Sequence, residues 1–548
     1  MESTSGKLFI ALLTALWLSM AGSTLASSNP LLSVAGSCWR RDGLIAESAI
    51  LLFAFTVAAW FAEDQARIRA VLRGAIVTGA VASLYGIAQY FGWDLLLPAK
   101  AYQSGEGIFT IVRPPGTFGH ADYFANWLVI VVFFALALRG REDDRRWRGM
   151  ADIAMVLAAF AIVLSGTRSA ILGLLFGGLV FIGMARPRLN RMGMLMLIAG
   201  ASCLGLLYVS PAGAKLRARV HWSLDDLRGG ARLLLWRDSL RMAMGRPLLG
   251  YGPETFTAQF PPFESVELSQ AYPDFYQESP HNMFLDVLTS RGLPGAFSLL
   301  ALCVLGLWAG RKNAALAAGL AAAVVCQQFM VLTIPTALYF YLLLAMLVAG
   351  TTTARPEETR EYPRVLIPVP ATIAVVFLVL AARLTVADHA MALAERLIES
   401  GDVAGAAHAY QTVQRWEPAG GASDLRYSRA MTRLASTSPV FATSVAAAAQ
   451  AVDAGIRATK TAEDRQNAWY NLATIDALRN NPGGVENGLR NAIKFAPNWF
   501  KPHWTLSQFL ELTGRHAEAR REAGLALELD GGHDPEVAET SRKILSSP

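Results

Sequence analysis

Apolar runs about as long as a membrane is thick recur along the chain, separated by short stretches rich in arginine. A run of roughly 20 apolar residues is what a helix needs to cross the hydrocarbon core. The pattern predicts helices near 7–25, 44–62, 72–92, 120–138, 150–165, 169–185, 192–209, 295–310, 313–331, 336–350 and 365–383. The connections 63–73, 139–149, 186–191 and 310–313 are basic, and the positive-inside rule assigns such connections to the cytoplasmic face. Alternation then puts 26–43, 92–119, 166–168 and 210–294 on the outer face, with Arg40 and Arg41 running against the trend. The expected fold is all-α, a polytopic helical membrane protein of about eleven spans. Residues 1–209 form a first block of seven spans, 210–294 a large outer loop, and 295–383 a second block of four. The N-terminus is expected inside and the C-terminus outside. Lys7 and the run after it also resemble a secretory signal with a small-residue cleavage site. The many spans that follow favour a retained first helix.

After residue 383 the pattern turns alanine-rich, polar and helical. Comparing this region with itself gives an offset of 34 residues: Leu472 aligns with Leu506, Tyr470 with Trp504, and 491–497 with 525–531. A further copy fits 401–418, and small residues at Gly401, Asn480 and Gly514 mark the turns. This period resembles tetratricopeptide repeats, which stack helix pairs into a concave surface. Residues 384–548 are therefore expected to form an α-solenoid on the outer side, able to bind a protein partner or an acceptor.

Composition supports this reading. The 548 residues are 53% hydrophobic and only 17% charged, where soluble domains carry about 25% charge. The net charge of +6 would suggest nucleic acid in a soluble protein. Here the arginines sit between apolar runs and report topology, with membrane lipids as the contact. Cys38, Cys203, Cys303 and Cys326 have neither disulfide nor zinc spacing. The loop 210–280 is balanced in charge and long enough to be functional.

One segment stands out in so apolar a chain: Ser279-Pro280-His281-Asn282, running on to Gly292 and Gly295. Ser279 suits an N-cap and Pro280 the first helical position. His281 would then lie in the first turn, heading an apolar face with Leu285, Leu288 and Gly292, while Asn282 and Asp286 share a polar face. A helix N-terminus disfavours a cationic imidazole, and a neutral one is what a general base needs. The two glycines are expected to turn this helix into the next span.

His281-Asn282, nine residues, Gly292, two residues, Gly295 resembles a signature of the O-antigen ligase/polymerase superfamily. "RPPGTFGHADYFANWL" (113–128), "LSGTRSAILGLLFG" (164–177) and "ARLLLWRDSLRMAMGRPLLGYGPETF" (231–256) are similar to other stretches of that family, in the same order. The resemblance covers roughly 20–350. Asp122 departs from the asparagine often found at its position, and Ser298 from the usual Gly, Thr or Tyr.

The resemblance implies a bacterial cytoplasmic-membrane enzyme that moves a glycan from a polyprenyl diphosphate carrier to an outer acceptor. That acceptor is lipid A–core for a ligase, another lipid-linked repeat for a polymerase, or a protein. His281 is then the expected base for the acceptor hydroxyl. The leaving diphosphate calls for cations, and the guanidinium fork suits phosphate oxygens. Arg232 is the first choice, with His281 the catalytic pair. Arg168, Arg113, Asn282 and Arg237 are expected to bind substrate, and Gly292 and Gly295 to shape the motif. No acidic cluster points to a metal, and no cofactor is expected. His120 reads as a structural contact. Tyr251 and Tyr272 read either as sugar-stacking or as aromatic-belt residues. Arg217, Arg219, Arg228, Arg241 and Arg246 read mostly as surface charge. A transporter, or a scaffold working through its repeats, is the alternative of a different class. The sequence lacks the paired broken spans of a transporter.

Overall fold

The computed structural model describes residues 3–64, 66–94, 96–98, 101–104, 111–186, 191–225, 230–351, 368–418 and 421–547. Nearly all secondary structure among them is helical. The first block holds α1 (Thr4–Leu25), the short α2 (Pro30–Ala35), α3 (Leu44–Glu63), α4 (Ala66–Tyr90), α5 (Ala121–Arg139), α6 (Arg145–Ser165), α7 (Arg168–Ala185) and α8 (Arg191–Val209). The connecting region carries α9 (Ala214–Asp225), α10 (Arg232–Gly245), α11 (Phe256–Gln259) and α12 (Val266–Ala271). The second block is α13 (Met283–Ala309), α14 (Ala314–Cys326), α15 (Ile334–Ala349) and the start of α16 (Pro368–Glu399).

Among the described residues eight helices are long and apolar enough to cross a membrane, and Gly200–Val209, α14 and α15 are shorter apolar helices. Each of the eleven apolar runs thus holds a helix where described, three of them shorter than expected; the run 313–331 stops being helical at Cys326, and 327–331 form a loop instead. Most of the basic connection 186–191, and the start of the last expected span, lie outside the described residues.

α5 is the centre of the bundle. Its apolar stretch is 83% buried, against 17–50% for the other long helices. It packs on α4, α6, α7, α14 and α15. An apolar helix with no polar stripe belongs in such a position, because nothing on it seeks water. The first residues of α5 therefore sit at the middle of one end of the bundle, and everything attached to them is centrally placed.

α13 is two helices joined at Gly292, whose φ of 68° and ψ of −170° are non-helical. A Cβ there would lie 2.4 Å from the carbonyl oxygen of Leu248. Across this break the loop 247–252 pairs with the helix: Leu293 N–H donates to Pro247 O at 2.7 Å, Tyr251 to Thr289 O at 2.9 Å and Gly252 to Ser290 O at 3.0 Å. Gly295 lies against Ser19 of α1, with room for no side chain. Gly292 is thus a backbone device that locks the connecting region to the kink, and Gly295 lets α1 pack closely on α13.

The start of α13 corrects the sequence expectation. Asn282, not Ser279, is the N-cap, and its Oδ1 accepts the amides of Phe284 (3.0 Å) and Leu285 (3.1 Å). One carboxamide satisfying two of the helix's free donors outcompetes a hydroxyl followed by proline. His281 consequently lies outside the helix, in the left-handed region at φ 49°, and does not head an apolar face with Leu285 and Leu288.

α16 runs unbroken past residue 383, so the change in composition falls inside one helix rather than at a linker. Its second half, with Met391 and Ala394 buried, pairs with α17 (Val403–Trp416). Three more helix pairs follow, α18 (Ser423–Thr437) with α19 (Phe441–Thr461), α20 (Arg465–Leu478) with α21 (Pro482–Phe495), and α22 (Phe500–Leu512) with α23 (His516–Asp530). α24 (Pro535–Ser546) closes the row. Gly401, Asn480 and Gly514 all take positive φ, at 82°, 54° and 75°, where paired helices turn back. Buried alanines such as Ala406, Ala447 and Ala451 let the helices approach closely. These helix pairs dock on the connecting region: Asn498 Nδ2 donates to Glu264 O at 2.6 Å, and Gln270 Nε2 to Glu528 O at 2.8 Å.

Candidate active site

Arg113 follows β2 (Ile111–Val112), which pairs with β1 (Gln103–Ser104) in a short hairpin. Gln89 of α4 holds the next loop by accepting from Gly116 N–H at 2.9 Å. So held, the Arg113 guanidinium forms an ion pair with Asp122 at the head of α5. Asp122 also accepts the Thr167 hydroxyl at 2.9 Å. Thr167 sits in the corner between α6 and α7, which Gly166 turns at φ 62°.

Trp222 of α9 lies under the same corner. The guanidinium carbons of Arg219 and Arg168 stand 4.2 Å and 5.5 Å from its ring centre, within range of an attraction between cation and ring face. Arg219 is buried and donates its Nε–H to Gly166 O at 3.1 Å. Burial, with Arg113 and Arg168 nearby, pushes the Arg219 guanidinium down to about 10, while Asp122 opposes the shift. The sequence reading of Arg219 as surface charge is thus corrected: α9 folds inward and brings it into the cluster. Arg228 lies outside the described residues.

The second half of the site comes from α10. Arg232 and Trp236 are one turn apart and share a face. Trp236 Nε1–H donates to Pro280 O at 3.1 Å. The Phe329 ring lies 5.9 Å from the Arg232 guanidinium carbon and 6.1 Å from the Trp236 ring. The loop carrying Phe329 is fixed in turn, because Gln327 O accepts Met283 N–H at 2.9 Å and Gln328 accepts the Asn282 side chain.

His281 sits between these walls, its Nδ1 3.4 Å from Ser279 Oγ. Burial pushes its imidazole down to about 4, and the positive charge of Arg232 adds most to that effect, while Asp122 opposes it. The ring is therefore neutral at physiological pH. Asp122 joins the two halves: Arg113, His120, Thr167 and Arg232 all bear on its carboxylate, and it bears on His281. His120 caps α5, accepting Asp122 N–H at Nδ1 at 3.2 Å.

The structure thus brings Arg113, Arg168, Arg232 and His281 together with Asp122, Thr167, Arg219 and Trp222. It sets Arg237 apart, half exposed and bonded to Asp238, Ser265 and Glu267. Both ends of the Asn282 carboxamide are engaged, as helix cap and as tie to Gln328. Among the described residues no three His, Cys, Asp or Glu side chains are grouped to hold a metal. What the arrangement offers is a neutral imidazole beside several guanidiniums around one carboxylate, set at the end of the most buried helix.

Residues 153–300 match a family described as O-antigen ligase. The match takes in Arg168, Arg219, Arg232, His281 and both signature glycines, and stops short of Arg113 and Asp122. No curated protein matches the chain.

Proposed function

We propose that this chain, whose residues 153–300 match a family described as O-antigen ligase, transfers a glycan from a polyprenyl diphosphate to an acceptor hydroxyl, with ligase-type transfer to lipid A–core as the leading form. The observation that carries this reading is the pairing of neutral His281 with Arg232, held on adjacent walls by the Trp236–Pro280 bond. The acceptor oxygen attacks the anomeric carbon, its proton passes to His281, and the bond from that carbon to the diphosphate oxygen breaks. Arg232, Arg113, Arg168 and Arg219 meet the charge that develops on the leaving diphosphate.

Before substrate arrives, burial and Arg232 keep His281 a weak base. A bound diphosphate offsets that positive charge and strengthens the base when it is needed. The same electrostatics retain the diphosphate as it leaves.

Reconstitution with a defined lipid-linked oligosaccharide tests the reading, offering lipid A–core, a second lipid-linked repeat and a peptide as acceptors. Transfer to one of them names the class. Undiminished transfer by both His281→Ala and Arg232→Ala removes the mechanism.

A further inference from the structure

Between the connecting region and the repeats lies a cleft of about 400 Å³. Tyr272, Phe275 and Tyr276 form one wall, each residue 39–56% exposed. Tyr470 and Trp499, with the carboxamides of Asn467 and Asn471, form the other. A second space of about 350 Å³ shares Tyr276 and Arg429 with the first and extends to Trp39 and Glu278. Trp39 and Glu278 also border the space around Arg40 and Asp286. Glu278 lies three residues before His281, so the second space borders the segment that runs into the candidate active site.

The charged groups of the cleft are largely spent on one another. Asp274 takes both Lys501 Nζ (2.5 Å) and Trp499 Nε1 (3.2 Å), and Arg429 donates to Asn467 Oδ1 at 2.9 Å. What remains for a ligand is ring faces, amides and the Thr474 hydroxyl. Glu264 in the wall has a carboxyl oxygen without a partner. Burial pushes that carboxyl up to about 8, so at neutral pH it is uncharged and can donate as well as accept. Electron-rich ring faces suit the C–H faces of sugar rings, and amides and hydroxyls suit their rims. A peptide with charged side chains finds few free countercharges here.

We propose that this cleft binds several consecutive sugar residues of a glycan chain being joined at His281, which rests on the transferase reading above. The chain comes from the donor or from a glycan-bearing acceptor, and both present the same chemistry.

The probe is the lipid-free oligosaccharide of two to six repeats, released by mild acid from the donor used in the transfer assay. It is titrated against the full-length protein in detergent. Wild type binds it, Tyr276→Ala and Tyr272→Ala each weaken binding at least tenfold, and His281→Ala binds as wild type does. In turnover, Tyr276→Ala raises KM for multi-repeat substrate more than for single-repeat substrate, and the substrate so affected identifies the source. No binding by wild type, or binding unaltered by both tyrosine changes, overturns the proposal. A photo-crosslinker at Thr474 that captures a protein instead of glycan also overturns it. Undiminished transfer by His281→Ala defeats the transferase reading alone and leaves glycan binding to be judged by the titration.

Discussion

The indole N–H of Trp236 donates to the carbonyl oxygen of Pro280 at 3.1 Å, and that bond fixes the residue before His281 against the helix that presents Arg232. Trp236→Phe keeps an aromatic ring and deletes the donor. One lost hydrogen bond is worth about 1 kcal/mol, so kcat should fall roughly five- to tenfold while the thermal midpoint moves little. An unchanged kcat would mean that the loop is held by other contacts.

The pH profile of kcat/KM tests the electrostatics. His281 in the folded chain is pushed down to about 4 from an ordinary value near 6.5, so it stays neutral as pH falls through 6.5. The acid limb should therefore lie near 4. Arg232→Gln removes a positive charge, lets the His281 pKa rise and should move the acid limb upward. The same shift bears on stability. Between 6.5 and about 4 the unfolded chain takes up a proton that folded His281 refuses, so stability falls as pH drops through that window. A wild-type limb at 6.5 would sink this account.

Arg232→Lys separates charge from shape. An ammonium keeps the charge but loses the planar fork that grips two phosphate oxygens. Transfer should drop about tenfold for Lys and on the order of a hundredfold or more for Ala. Equal losses in both variants would assign the role to the fork alone.

The apolar runs and the signature glycines were legible because they follow from local rules of length, periodicity and backbone freedom. The start of α13 was misread for a local reason too: Ser279 and Asn282 both suit a cap, and only the doubled acceptor role of Asn282 decides between them. Arg219 and Arg40 were illegible because their partners are remote in sequence. Arg219 reaches Gly166 across 53 residues, and Arg40 reaches Glu254 across 214. Asp122 showed only as a departure from a pattern, although it is the carboxylate around which the site is arranged.

Gly292→Ala and Gly295→Ala should differ in cost. At Gly292 a Cβ meets the backbone oxygen of Leu248 at 2.4 Å, in a conformation with φ 68°. Left-handed strain and the clash together should cost roughly 2–4 kcal/mol. At Gly295 the nearest obstacle is the Arg291 side chain at 2.7 Å, with no positive φ, so the loss should be smaller. Thermal unfolding in detergent ranks the pair, and the reverse order would contradict the backbone-lock role of Gly292.

Arg40 tests the buried charges beside the site. Its guanidinium takes Glu254 Oε1 at 2.5 Å and Asp286 Oδ2 at 2.9 Å, and its side chain is 5% exposed. Glu254 is more buried still, at 1% side-chain exposure, and also accepts Ser37 N–H at 3.1 Å. Arg40→Met leaves that carboxylate without its cation, which costs about 3–5 kcal/mol in a buried pair. Adding Glu254→Gln removes the stranded charge while keeping an acceptor for Ser37, so the double variant should regain much of the loss. The comparison is a double-mutant cycle on the thermal midpoint. If the two losses simply add, Arg40 is not the cation that Glu254 depends on, and the buried network has another centre.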